Sequence, residues 1–540
     1  MTFNPQPMPI LPALGYWLAT AGGLAGVIFL FSLVSMLIRH SGSGFQLFGT
    51  EVGGFASDLI SLSPRRIWAL AKLTFVEAYR RKALLVFVVF ALLFMFAGWF
   101  MGGDSADLTK DQVKVYVSFV LRTISWLTLP LILILSSFGI PEDIRLRSLH
   151  TIVTKPARRL EIVLGRVIGF SMIGTLILVI MAGVGYLWIV RQVPASAQEM
   201  LVSRVPVRGK LSFLDRNGEP ADKGINTGDL WEFRSYIEGA TKARAVWKFH
   251  NVTEQILDRD GNLHLENQFL AFRSYKGDMK QSLLYDYQFV NPDNKLTYTT
   301  AARPINENRS VTEVIPRKVT PQGSDKPLDL INDLVAKDGT LTVEVSCIDR
   351  EQYLGMAEPD LFIRMPDRDF SSGFFKAVVG IELMMILVIL LSVTASTFLK
   401  GPIATVLTFV MFILGGEDAH NFMDQLVVGR SGKDGFQGGG FFESIYRIVT
   451  HMNPTTELPE NVSFGVMRFI DGGLTGFLSL CKQVIPRLKH FNQMPEYVSN
   501  GFDVPWAESL LPCLLITLGY LLPCVLLGYF ALRIRELESK

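Results

Sequence analysis

Apolar residues gather into long runs, separated by stretches of mixed polarity. Seven of these runs approach the roughly 20 residues that a helix needs to cross a bilayer. They cover residues 14–38, 83–101, 115–140, 162–190, 374–398, 403–416 and 510–532. The sixth is short, and a re-entrant or tilted segment is the alternative to a full crossing there. The first is too long for a secretory signal and has no lysine or arginine ahead of it, so it predicts a retained anchor.

Residues 191–373, between the fourth and fifth runs, carry a different period. Tyr285, Tyr287 and Phe289 alternate with Asp286 and Gln288. Leu341, Val343 and Val345 alternate with Thr342, Glu344 and Ser346, and Ala245, Trp247 and Phe249 with Val246, Lys248 and His250. A period of two marks half-buried strands. Asn217-Gly218, Asp260-Gly261 and Asn291-Pro292 supply turns between them. This segment predicts an inserted antiparallel domain of the β-sandwich or jelly-roll kind. A second insert, residues 417–506, contains a glycine-rich linker at 435–440 and two helical stretches at 441–452 and 466–491. Those stretches read as amphipathic and too polar to span, and are expected at the interface or packed on the spans. The expected fold is therefore a polytopic α-helical membrane protein of about seven spans with an inserted β domain. Its segments are 1–60, 61–190, 191–373, 374–416, 417–506 and 507–540.

Composition agrees and narrows the classes. Of the 540 residues, 49% are hydrophobic and the formal net charge is +2, so the basic excess of a nucleic-acid binder is missing. The positive charges that exist are clustered. Arg39, Arg65, Arg66, Lys72, Arg80, Arg81 and Lys82 lie between runs one and two. Arg145, Arg147, Lys155, Arg158 and Arg159 lie between three and four, Lys400 between five and six, and Arg533, Arg535 and Lys540 after the last. Every second connection is basic. The positive-inside rule then predicts an N-terminus outside, a C-terminus in the cytoplasm and both inserts across the inner membrane from the basic connections.

Chemistry-bearing motifs are scarce. Gly429-Arg430-Ser431-Gly432-Lys433-Asp434 lacks the glycine spacing and the Ser or Thr of a phosphate loop. Neither a nucleophile elbow nor an HExxH is present. Asp258-Arg259-Asp260-Gly261-Asn262 lacks the further ligands of a calcium loop and reads as a hairpin turn. Nothing fixes Glu417, Asp418, His420 and Asp424 as metal ligands. The four cysteines have no metal-type spacing and imply no disulfide framework, a Cys347–Cys481 bridge being the one pairing worth weighing. The expectation is a protein that is not an enzyme and carries no cofactor or metal.

Three features could carry mechanism. Ser63-Pro64 is a helix start, and Trp68, Phe75 and Tyr79 then share a face that Arg80 leaves, which predicts a helix along the headgroups. The connection from Glu142 and Asp143 through Arg145, Arg147 and His150 to Lys155 and Arg158 predicts a short charged helix. Pro141 should stop the span before it, and the two acids suit a first helical turn. Arg122 and Glu382 lie within runs three and five, about 10–12 Å deep by helical rise, and are expected to pair across the bundle.

Here the sequence resembles the ABC-2 type transporter permease family. The resemblance rests on the acidic start Glu142-Asp143, on Lys155-Pro156 with Arg158 or Arg159, and on Gly165-Arg166 opening the next span. Residues 63–82 resemble the family's elbow helix, Leu399-Lys400-Gly401-Pro402 its inner turn, and Leu532-Arg533-Ile534-Arg535-Glu536 its tail. It covers the six later spans. It implies a separate ATP-hydrolysing subunit docked on a coupling helix at 142–154, a second permease subunit, homo- or heteromeric, and transport across the lipid bilayer. The extra first span and the two inserts depart from the family core and imply an outer protein or cargo. Alternatives are a non-transporting subunit actuated by such an ATPase, or a receptor or adhesion scaffold, which leaves the basic connection without a purpose.

Overall fold

The computed structural model describes residues 9–39, 49, 52–54, 57–80, 85–86, 89–90, 92–93, 110–145, 158–193, 198, 201–225, 234–273, 282–305, 310–321, 326–428, 440–453, 458 and 461–538. These form two compact units. One comprises Leu201–Gly373 and Gly501–Asp503, and the other the described parts of Pro7–Met200, Phe374–Asn500 and Val504–Lys540.

The second unit is helical. Its described helices are α1 (Ile10–Arg39), α2 (Pro64–Arg80), α3 (Lys110–Arg145), α4 (Arg159–Gln192), α5 (Phe370–Phe398) and α6 (Gly401–Leu414). They continue with α7 (Glu417–Val428), α8 (Phe441–Val449), α9 (Val462–Val484), α10 (Lys489–Ser499) and α11 (Leu511–Glu538). Among the described residues, five helices are long and apolar enough to cross a membrane: α3, α4, α5, α9 and α11 with the turn that precedes it. A sixth candidate is α6 with α7, bent by 73° at the glycines between them. Gly415 is required at that bend, because a Cβ there would come within 2.4 Å of the Pro486 carbonyl oxygen. Most of the predicted run at 83–101 lies outside the described residues.

Two sequence expectations change. Pro141 does not stop the third run, and α3 carries Pro130 and Pro141 within it and ends at Arg145. Glu142 and Asp143 thus occupy a last turn rather than a first. Buried Ile140 and the anchoring of Asp143 described below hold that turn despite the missing proline N–H. α9, read as too polar to span, passes the length and apolarity of a span with a mean hydropathy of 1.2. Its one acidic side chain, Asp471, is buried against α8 and so is withdrawn from the helix's exposed face.

α5 is the most enclosed candidate span, with 72% of its apolar window buried. Small groups let its neighbours approach. A Cβ on Gly380 would strike the Met494 sulfur of α10, and one on Gly174 of α4 would strike Met385. α1 leans on α11, where Trp17 donates its indole N–H to the Gly519 carbonyl at 2.9 Å and Phe29 meets Phe530 edge-on at 5.4 Å.

The first unit is antiparallel and β-rich, with open sheets around one core. One sheet runs in the order Val202–Arg208, Leu361–Asp369, Asn262–Asn267, Val311–Pro316. The largest places Leu341–Cys347 between Leu284–Val290 and Arg244–Phe249. A third is built on Gln352–Met356, flanked by Ser235–Glu238 and Leu270–Arg273. The predicted alternation is observed in Leu284–Val290, where Tyr285, Tyr287 and Phe289 are fully buried in the shared core. Thr342, Ser346 and Val246, by contrast, are buried along with Leu341, Val343, Val345 and Trp247, because those strands lie at the centre of the sheet and are covered on both faces. Asn267 donates to both tyrosine hydroxyls, at 2.9 and 2.6 Å, so the core's buried phenols are satisfied. The Asn-Gly and Asp-Gly turns form with Gly218 at φ +89° and Gly261 at φ +80°, where a side chain would be strained.

Segment Gly501–Asp503 belongs to this unit, although α10 and α11 flank it in sequence. Arg204 donates its N–H to the Gly501 carbonyl at 2.9 Å and accepts from the Asp503 N–H at 2.8 Å. Its guanidinium lies 4.4 Å from the Phe502 ring centre, and Arg368 pairs with Asp503 at 2.9 Å.

Candidate coupling site

The helix ends that flank the charged connection after α3 are held by a network that only partly overlaps the residues singled out by sequence. α2 packs along the start of α4. Leu70, Ala71 and Thr74 face Gly165 and Gly169 so closely that a Cβ on Gly169 would lie 2.6 Å from the Ala71 carbonyl oxygen. This Gly-x-x-x-Gly stripe explains why α2 buries Ala71, Thr74 and Ala78 rather than its aromatics. Trp68 and Tyr79 are 57% and 55% exposed, Phe75 is half-buried and Arg80 is exposed. Ala71, which the helical period groups with the aromatics, belongs instead to the packed face, because only small side chains admit α4 at this distance. The aromatics remain on the outward side, where an interfacial helix would carry them.

At the centre is Arg166, 5% exposed, on α4. It donates to Glu77 of α2 at 2.6 Å, to the Thr74 hydroxyl at 3.3 Å, and to Asp143 in the last turn of α3. Asp143 is itself buried. One guanidinium thus ties three helices together where they meet the connection. A buried pair of this kind adds little net stability over an apolar substitute, yet loss of one partner strands the other.

A second node closes the same end. Glu161, fully buried at the third position of α4, accepts from the Arg158 N–H at 3.1 Å, the Ser63 N–H at 3.0 Å and Arg66 Nε at 3.0 Å. It therefore caps α4 and fixes the start of α2 together. Arg158 pairs with Asp58 at 3.1 Å and donates to the Ser57 carbonyl at 2.9 Å, and the Tyr529 hydroxyl of α11 also reaches Asp58. The tight turn before α6 joins them, because a Cβ on Gly401 would fall 2.7 Å from the Phe138 ring of α3. The basic connections read from sequence therefore converge at one end of the helical unit.

Glu142 and Arg145 make a looser contact of 3.6 Å, and Arg145 is largely exposed. Arg147, His150 and Lys155 lie outside the described residues. Asp58, Glu77 and Glu161 were missed by sequence reading. Glu161 alone had a local signal, an acid three residues after the residue preceding a helix. The others act across separate helices.

Arg122 and Glu382 are not brought together. The Glu382 carboxylate accepts from the Thr175 hydroxyl of α4 at 2.6 Å. Arg122 is exposed, and it opposes the rise that burial imposes on the carboxyl of Glu496 in α10. Sequence fixes depth along a helix but not the facing of two helices around their axes. Among the described residues no cluster of histidine, cysteine or acidic side chains could hold a metal ion, and the cysteines are free thiols. Comparison with known proteins gives no match: no family model fits the chain, and no curated protein and no solved structure is similar to it.

Proposed function

We propose that this chain is the membrane-embedded permease subunit of an ATP-driven transporter of the ABC-2 kind, lying in a cytoplasmic membrane and driven by a separate ATPase at residues 142–154. The observation that carries the reading is Arg166 between Asp143 and Glu77. A push on the connection after α3 meets a buried ionic tie to α2 and α4. The three helices would therefore move as a body instead of the loop yielding alone. Arg145, largely exposed, lies at the edge of that tie, where a partner could reach it. In this reading two permease subunits assemble, the basic connections face the cytoplasm, and the β unit faces the other side.

A second reading has a specific observation behind it. The β unit holds its own first strand, which follows α4, its last strand, which runs into α5, and the Gly501–Asp503 segment that leads toward α11. A domain bonded to three such connections suits a subunit that an ATPase actuates mechanically to work on an outer partner, without transport.

Purification of the full chain from its native membranes, with ATP hydrolysis as the readout, tests what both readings share. An ATP-hydrolysing subunit should co-purify, and reversing charge with Glu142→Lys and Arg145→Glu should remove most of that activity while the chain itself is still recovered. Activity that is absent from the wild-type preparation, or unchanged by the reversal, contradicts the proposal.

A further inference from the structure

The hairpin of α8 and α9 turns its acidic groups inward and its large apolar groups outward. Asp471, in the middle of α9, is 1% exposed. Its carboxylate accepts from the N–H groups of Phe442 at 2.9 Å and Glu443 at 3.0 Å, the free donors at the start of α8. Gly440 permits this approach, since a Cβ there would lie 2.3 Å from the Asp471 Cβ. Glu443, also buried, pairs with Arg447 at 2.7 Å, and Arg447 donates to the Asn453 carbonyl at 2.7 Å. Tyr446 and Phe464 meet edge-on at 5.1 Å across the seam.

The outside is the reverse. Ile448 and Val449 of α8 are each 73% exposed, and on α9 Phe469 is 83%, Phe477 65% and Leu480 62% exposed. Only 6% of the apolar window of α9 is buried. A helix pair folding in water would turn these side chains toward each other and Asp471 toward solvent. The observed arrangement satisfies polar groups internally and presents hydrocarbon outward, which is what a lipid environment demands. At 23 residues α9 is about 35 Å long by helical rise, against a hydrocarbon layer of about 30 Å. Its exposed Arg468 lies within about two turns of its start, close enough for a long side chain to reach headgroups.

We infer that the α8–α9 hairpin is inserted in the hydrocarbon layer of the bilayer, its exposed face covered by lipid acyl chains and its seam held by Asp471 at the start of α8. It is a membrane-embedded element of this chain that does not depend on the transporter reading, and its test needs no ATPase.

The test uses the full chain with Cys481→Ser, reconstituted into phosphatidylcholine vesicles whose acyl chains carry bromine. Phe469→Cys, Phe477→Cys and Ile448→Cys are each labelled with an environment-sensitive fluorophore, with Val466→Cys as a second site on the same face. Lys242→Cys in the β unit is the water-exposed reference. Labels on the hairpin should emit to the blue of the reference and lose fluorescence to the brominated chains. Labels that match the Lys242 position overturn the inference. Efficient disulfide cross-linking between copies through Phe469→Cys also overturns it, because a second copy would then cover the face. Asp471→Leu should make the Ile448 label water-accessible while the Phe469 label stays quenched, and Asp471→Asn should disturb it less. No change at Ile448 in Asp471→Leu contradicts the role given to the carboxylate.

Discussion

Arg166 is the residue on which the candidate coupling site turns, and its effect should be largest when it is removed alone. Arg166→Met removes the buried guanidinium that Asp143 and Glu77 share. A loss of about 3–5 kcal/mol is expected, read as a lowered thermal midpoint of the detergent-solubilised protein. Adding Asp143→Leu should recover part of that loss, because a buried carboxylate that has lost its guanidinium is then gone. A midpoint unmoved by Arg166→Met would remove the tie. Asp258 gives a second residue-scale prediction. The N–H of Asn262 and then the side chain of His264 hold its carboxyl down to about 2, from an ordinary 3.8. A depressed folded value means that its contribution is complete above about pH 4 and is lost as pH falls toward 2. Asp258→Asn should therefore lower β-unit stability at neutral pH, leave it little changed near pH 2, and so flatten the acid limb of unfolding between them. This turn was legible in sequence because its chemistry is local, an aspartate accepting from the backbone two and four residues on. The partners of Arg122 and Glu382 were not, since they depend on how separate helices are rotated.

At the scale of elements, α2 and α4 show how a glycine stripe decides packing. Gly169→Val would drive a branched side chain into Thr74 and the Ala71 carbonyl, and should cost about 1–3 kcal/mol as overpacking. Gly183 lies on the same helix with open space around it. Gly183→Ala should be neutral or stabilising by about 0.5–1 kcal/mol, as expected for replacing glycine within a helix. Equal effects at the two positions would contradict the packing described here. The existence of α2 was readable from Ser63-Pro64, but its buried face was not. Aromatic residues dominate a hydrophobic pattern, whereas close approach selects the small ones. The strands of the β unit were readable for the opposite reason. Alternation such as Tyr285, Tyr287 and Phe289 maps directly onto one buried sheet face. Pro141 misled because proline's cost is local, while the anchoring that outweighs it comes from α4. α9 misled because Asp471 lowers its hydropathy without ever facing outward.

For the whole molecule, the basic connections gather at one end of the helical unit, around Arg158, Asp58, Gly401 and Tyr529. The proposed function requires that end to lie in the cytoplasm and the β unit to lie across the membrane. Neither the partner nor the cargo could be read from residues, because recognition on either side depends on surfaces that the chain shares with another molecule. The most direct measurement labels single cysteines with a membrane-impermeant reagent in intact cells and in inverted vesicles. Arg145→Cys, beside the connection after α3, should react only in the inverted vesicles, and Lys242→Cys, in the β unit, only in the intact cells. Reaction of both positions from the same side would contradict the account.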